Sequence, residues 1–309
     1  MDTISTISAQ LQKGNRKALA RAITLVENQS GDYWQLLESL PGKKQTQIIG
    51  ITGPPGAGKS TLVDALLAEI VAEGKKAAVL CVDPSSPFHR GALLGDRIRM
   101  SEWYNHPDIF IRSLSSRGSL GGLHPHIIEV QDLLQAAGFD YILIETVGVG
   151  QSEVEIAMLA DCSIVVLVPE AGDDVQVMKA GLMEIADLFV VNKSDRPDAQ
   201  RFVKYLREAQ QGSSHRKKPA PVIPVTAHKR EGIAELWKSI QQELQQKESM
   251  AARSALLAEK AWQLLLQQRM QGIDKAALQK TIEEAIASGT FNLYKLVNSE
   301  KLIVKSDRI

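Results

Sequence analysis

Three observations in the sequence predict an α/β fold, a doubly wound and mostly parallel sheet with helical extensions at both ends. Seven apolar runs of strand length lie between about Gln47 and Gln246, apolar at consecutive positions rather than alternate ones. Strands of that kind are buried on both faces. The stretches between them are long enough for crossover helices and carry helical periodicity, which parallel neighbours require. A glycine-rich segment follows the first run and opens directly into a helical pattern, an arrangement suited to binding an anion.

Residues 1–45 read as an N-terminal helical arm. Thr3 to Val26 carries Lys13, Arg16, Lys17 and Arg21 and no acid, the composition of an amphipathic transit peptide. The same stretch reads as an ordinary helix, because Ala18, Leu19, Ala22, Ile23 and Val26 recur at helical spacing and Asn28-Gln29-Ser30-Gly31 makes a stop. The helix is the preferred reading, and a cytoplasmic protein follows from it. Residues 46–247 form the central domain, whose strands are QIIGIT, AAVLCVD, DIFIRSL, DYILIET, CSIVVLV, DLFVVN and PVIPVT. Gln210 to Pro221 interrupts it as an exposed loop. Residues 248–309, rich in Ala, Leu, Gln, Lys and Glu with only a short LIV run near the end, read as a C-terminal helical arm and a candidate dimerisation element.

Composition narrows the function classes. The 36 Lys and Arg balance the 36 Asp and Glu, which argues against nucleic acid held by bulk charge. No apolar run approaches the ~18 residues of a membrane span. Cys81 and Cys162 sit inside apolar runs and read as core thiols of a reducing compartment, not as a disulfide framework or zinc site.

After the first strand comes Gly53-Pro54-Pro55-Gly56-Ala57-Gly58-Lys59-Ser60, followed by Thr61 and a helical pattern. This is the phosphate-loop template G-x-x-x-x-G-K-[ST] in its required strand-to-helix context. Glycines let the backbone wrap close to an anion, and successive N–H groups with the helix N-terminus stabilise the α- and β-phosphates. Lys59 bridges the β- and γ-phosphates in this reading, and Ser60 offers a hard oxygen to Mg²⁺.

The base is specified after the sixth strand, where Asn192-Lys193-Ser194-Asp195 matches N-K-x-D. The Asp195 carboxylate can accept from N1–H and the 2-amino group of guanine, whereas adenine presents an acceptor at N1 and leaves the carboxylate unmatched. The Lys193 stem can lie along the ring, and Asn192 can tie the loop to the phosphate loop or reach N7. Thr226-Ala227-His228 ends the seventh strand, where a backbone N–H meets the guanine O6. The expected ligands are therefore GTP and GDP with Mg²⁺.

Asp83 and Glu145 close two more strands toward the same crevice, each a direct or water-mediated metal ligand. In Glu145-Thr146-Val147-Gly148 the Gly148 N–H is spaced to meet the γ-phosphate. Val149 follows where a Ras-type switch has its water-orienting glutamine, and Gln151 lies two positions on. Intrinsic hydrolysis is therefore expected to be slow unless the loop reshapes. The Gly-, Ser- and Arg-rich stretch between Asp83 and Arg117, with Asp96, Arg97, Arg99 and Arg112, is a candidate switch.

GNRKALARAITLVEN, TGPPGAGKSTLVDAL, VDPSSPF, GALLGDRIRM, SSRGSLGGL, ETVGVGQSEVE, GLMEIADL and VVNKSD occur in this order. Over roughly Leu11 to Gln246 the chain resembles the methylmalonyl-CoA-mutase-associated GTPase family, the MeaB/ArgK type. The resemblance implies a homodimeric GTPase that escorts an adenosylcobalamin-dependent acyl-CoA mutase, gating cofactor loading and protecting it from inactivation. By position it makes Lys59 and Ser60 the phosphate and metal residues, and Asp83, Asp96 and Glu145 the acids around Mg²⁺. It makes Asn192 and Asp195 the base readers and Gln176 to Leu182 a third switch. Met178-Lys179 stands where the family has two lysines, leaving Lys179 as the candidate catalytic cation. His89-Arg90, Ser119 and TFNLYKLVNSEKL also depart from its pattern.

Two other functions compete with the mutase chaperone. A metal-insertion GTPase would be favoured by a His-rich tract or paired cysteines, which the sequence lacks. A kinase acting on a small molecule or a transport protein would need a base for its acceptor hydroxyl and would not need N-K-x-D.

Overall fold

The computed structural model describes residues 4–41, 46–83, 100–115, 124–146, 152–169, 182–210, 219–246, 254, 257–259, 261–262, 264–266 and 275–298. The chain divides into two compact units, residues 1–248 and 249–309.

The first unit is built on seven strands, β1 (Gln47–Thr52), β2 (Ala77–Asp83), β3 (Ile109–Ser115), β4 (Tyr141–Glu145), β5 (Cys162–Leu167), β6 (Leu188–Val191) and β7 (Val222–Pro224). Their order is β3-β2-β4-β1-β5-β6-β7, and every ladder between them is parallel. All seven apolar runs of the sequence are strands. The period of two divides their side chains between the faces. In β2, Ala77, Val79 and Cys81 join one core while Ala78, Leu80 and Val82 join the other.

Among its described residues the helices are α1 (Ile4–Gln12), α2 (Arg16–Glu27), α3 (Tyr33–Glu38), α4 (Lys59–Ala72), α5 (Ile127–Ala136), α6 (Ser152–Leu159), α7 (Leu182–Ile185), α8 (Ala199–Gln210) and α9 (Ile233–Gln246). Helices α4 and α9 bring Leu62, Leu66, Ile70, Leu236 and Ile240 to one sheet face. The opposite face receives α5 and the N-terminal helices through Leu133, Leu19, Ile23, Val26 and Leu36. A third cluster joins β5, β6 and β7 to α8 through Phe189, Phe202, Val203 and Leu206.

The helix expected over 3–26 is two helices. Gly14 turns the chain at φ +74°, and the Asn15 carboxamide oxygen accepts from the N–H groups of Lys17 and Ala18, both at 3.0 Å. This N-cap satisfies donors that a helix start leaves without intrahelical partners. Arg16, one of the cations that suggested a transit peptide, donates to the carbonyls of His106, at 2.7 Å, and Ile109. Arg112 of β3 pairs with Glu27 of α2.

Asp140, Asp161 and Asp187 lie just before β4, β5 and β6, and their carboxylates accept the N–H groups of Lys76, Ile48 and Ser163 at 2.9, 2.8 and 2.8 Å. These bonds tie the entry edge of the sheet, and the opposite edge carries the loops. Among the described residues of the second unit are α10 (Lys275–Ala287) and α11 (Leu293–Asn298), which bear exposed Ile286, Leu293 and Tyr294. No described helix is long and apolar enough to cross a membrane.

Candidate functional site

The site forms where β1, β4, β5 and β6 end side by side. Ile51 of β1 lies opposite Glu145 of β4 in the ladder, so the segment leaving β1 starts beside the Glu145 carboxylate. Thr146 fixes this junction, with its N–H on the Ile51 carbonyl at 3.1 Å and its hydroxyl on the buried Thr52 hydroxyl at 3.0 Å.

Gly53 begins the loop at φ +137°, and a Cβ there would stand 2.0 Å from the Val166 carbonyl oxygen of β5. Only glycine lets the backbone pass that close to the neighbouring strand. Pro55 and Gly56 form an exposed tip, while Ala57, Lys59 and Ser60 are buried. Gly58, at φ +86°, delivers the chain into α4. The first-turn N–H groups of α4, from Lys59 to Thr61, have no carbonyl one turn earlier in the helix and carry the positive end of its dipole.

The Lys59 ammonium donates to the carbonyls of Gly53 at 2.8 Å and Pro54 at 3.0 Å, so it lies within the curve of the loop. The Ser60 hydroxyl donates to Glu145 Oε1 at 2.6 Å, both residues being buried. A serine donating its proton keeps its oxygen lone pairs as acceptors. A hydroxyl oxygen and a carboxylate so close together are a donor set for a small hard cation such as Mg²⁺. The residues present therefore fit that ion.

Asn192 is the structural centre of the base side. Its carboxamide N–H donates to the Ala57 carbonyl at 2.8 Å, and its oxygen accepts from Ala227 N–H at 3.1 Å and Lys193 N–H at 2.8 Å. One buried side chain thus joins the phosphate loop, its own loop and the segment after β7. Of the two roles open to Asn192 in the sequence, this is the tie to the phosphate loop. Lys193, at φ +56°, reaches the Gly56 carbonyl with its ammonium at 2.9 Å. The hydroxyls of Ser194 and Thr226 meet at 3.1 Å, and the Ser194 N–H donates to the Val225 carbonyl at 3.0 Å. His228 is exposed beside them.

Asp195 is exposed, and Lys229 donates to its Oδ2 at 2.9 Å. That hydrogen bond, with the charge of the ammonium, holds the Asp195 carboxyl below its ordinary value against a partial desolvation cost, and the pair raises Lys229 in turn. The sequence alone gave no sign of Lys229. Its pairing crosses 34 positions and depends on β6 and β7 being neighbours.

Hydrogen bonds thus link the phosphate loop to Glu145, Asn192 and Lys193, and through Asn192 and Asp195 to the segment after β7. Asp83 ends β2 opposite Ser115, but its side chain lies outside the described residues. Asp96, Gly148, Gln151 and Lys179, with the segments 84–99 and 176–181, also lie outside them. Among the described residues no group of three or more His, Cys, Asp or Glu side chains gathers as a metal site.

Known proteins are similar to this chain in sequence and in fold. GTPase ArgK of Escherichia coli is 37% identical over 94% of this chain and 89% of its own length. The mitochondrial methylmalonic aciduria type A homolog of Mus musculus is 37% identical over 75% of this chain and 61% of its own. A solved structure described as LAO/AO transport system kinase superposes with a TM-score of 0.63 at 29% identity, covering 96% of this chain and 95% of the other. The family model for the methylmalonyl-CoA mutase-associated GTPase MeaB matches residues 19–282, and the chain is a GTPase belonging to that family.

Proposed function

We propose that this GTPase is a chaperone for an adenosylcobalamin-dependent acyl-CoA mutase, acting in the cytoplasm as a homodimer. It would gate loading of the mutase cofactor and protect the loaded enzyme. The observation that carries the nucleotide half of this reading is the Asn192 junction, whose three hydrogen bonds join the guanine-type loop to the phosphate loop, to the segment after β7 and to its own next residue. The mutase half rests on the family, whose description names that enzyme.

In this reading the backbone of Gly53 to Ser60 and the Lys59 ammonium bind the phosphates, and Asp195 with the Ala227 N–H reads the base. Ser60 and Glu145 would hold Mg²⁺, with Asp83 and Asp96 as further acids. The ion would supply charge neutralisation between the β- and γ-phosphates. The buried Glu145 accepts from Ser60 and so turns the hydroxyl oxygen lone pairs away from its own carboxylate. Gly148, Gln151 and Lys179 are assigned to the γ-phosphate side, where Gln151 or Lys179 must supply what Val149 cannot.

Turnover of the full chain should be slow, below ~1 s⁻¹, and a cognate mutase should accelerate it. Linkage requires that if the mutase changes GTP affinity, the nucleotide changes mutase affinity by the same factor. The test measures phosphate release and binding of GDP and a non-hydrolysable GTP analogue, with and without the mutase. Equal affinities and equal rates in its presence would overturn the chaperone reading. Transfer of the terminal phosphate of labelled GTP to a transport protein, in place of water, would favour the kinase reading.

A further inference from the structure

Recognition of guanine by a carboxylate requires that both oxygens be presented together to two donors of the base edge. Three residues of the base loop are held from outside it. Asn192 and Lys193 are tied to the phosphate loop, and Ser194 to Thr226 and Val225. Asp195 stands further out, and the side-chain partner of its carboxylate is the Lys229 ammonium. Lys229 rests on a firm base. Its N–H donates to the Thr226 carbonyl at 2.9 Å, and Thr226 bridges to Glu231. Arg230, held at φ +58°, brings its guanidinium to 4.0 Å from Asp64 of α4.

A carboxylate accepts about four hydrogen bonds, so the lysine contact on Oδ2 and the bond from the Asp195 backbone N–H leave room for both guanine donors. An exposed aspartate without an anchor would have to be ordered by the base at an entropic cost. We propose that Lys229 is a positioning residue for guanine recognition, fixing the Asp195 carboxylate before the base arrives. The inference rests on the assignment of Asp195 as the base reader. It adds the means by which that reader is oriented, which N-K-x-D does not contain.

The experiment uses the full chain and compares GTP with inosine triphosphate, which keeps N1–H and lacks the 2-amino group. Loss of the anchor should weaken the second contact more than the first. Lys229→Met is expected to raise the Kd for GTP about three-fold, the scale of an exposed charge pair. It should also shrink the preference for GTP over inosine triphosphate, with the loss in KM and not in kcat. Lys229→Arg should restore the preference. Because the pair is exposed, raising salt from about 0.05 to 0.5 M should erode the preference of the unaltered chain and leave that of Lys229→Met unchanged. An unchanged preference in Lys229→Met, or tighter GTP binding, would overturn the proposal, the latter by showing that guanine must displace the lysine. A separate arm measures Asp195→Asn with xanthosine triphosphate. Failure of that variant to gain xanthine binding would overturn the base-reader assignment itself.

Discussion

At the scale of single residues the site depends on backbone positions that leave no room for a side chain. Gly56 and Gly58 both adopt left-handed conformations, at φ +78° and +86°, but a Cβ at Gly56 would meet nothing within 4 Å while one at Gly58 would stand 2.4 Å from Asn192 Nδ2. Alanine at either position carries the strain of positive φ, about 1–2 kcal/mol. Gly58→Ala adds a collision with the side chain that joins the two loops. It is expected to lose GTP affinity by at least about five-fold relative to Gly56→Ala, since displacing a buried, fully bonded carboxamide costs on the order of 1–3 kcal/mol. Calorimetric titration of both variants with GTP checks this, and equal losses would mean that strain alone is felt.

At the scale of elements, the N-terminal helices are part of the core that supports the nucleotide edge. Leu19, Ile23 and Val26 of α2 share a cluster with Leu80, Val82 and Leu114, and Arg112 of β3 is paired with Glu27. Strand β3 in turn lies beside β2 up to Asp83. The Asn15 cap starts α2 and touches none of the site residues. Asn15→Ala is expected to lower unfolding free energy by about 1 kcal/mol with little change in GTP affinity, read from urea midpoints and a nucleotide titration. A larger affinity change than stability change would show that α2 acts on the site directly. The seven strands and the phosphate-loop helix were legible in the sequence because burial on both faces and the glycine spacing are local signals. The break at Gly14 was less so, since the apolar spacing of α1 and α2 reads almost continuously across it.

At the scale of the whole molecule, the division at 248 separates a unit with three apolar clusters from a helical one. Residues 1–248 expressed alone are expected to fold and bind GTP, while a chain starting at residue 46 should lose soluble expression. The second truncation removes Leu19, Ile23, Val26 and Leu36 from the cluster they share with Ile48, Leu80, Leu134 and Ile144, and so uncovers side chains of that core. Each such uncovered side chain forfeits ~1.5–3 kcal/mol of burial. Circular dichroism and nucleotide binding on both truncations decide the matter, and a well-folded 46–248 chain would contradict it.

By itself the sequence determined the strand count, the parallel sheet, the phosphate loop and the guanine-type loop. Each is written in contiguous residues whose spacing is dictated by backbone geometry, as in Gly53 to Ser60 and Asn192 to Asp195. Tertiary structure alone decided the strand order and the partners that cross it. It set Glu145 on Ser60, Asn192 on Ala57 and Ala227, and Lys229 on Asp195. Those pairings join residues separated by 85, 135, 35 and 34 positions, and no periodicity runs over such distances. They exist because hydrogen-bonded strands end side by side, where polar side chains that leave water need partners.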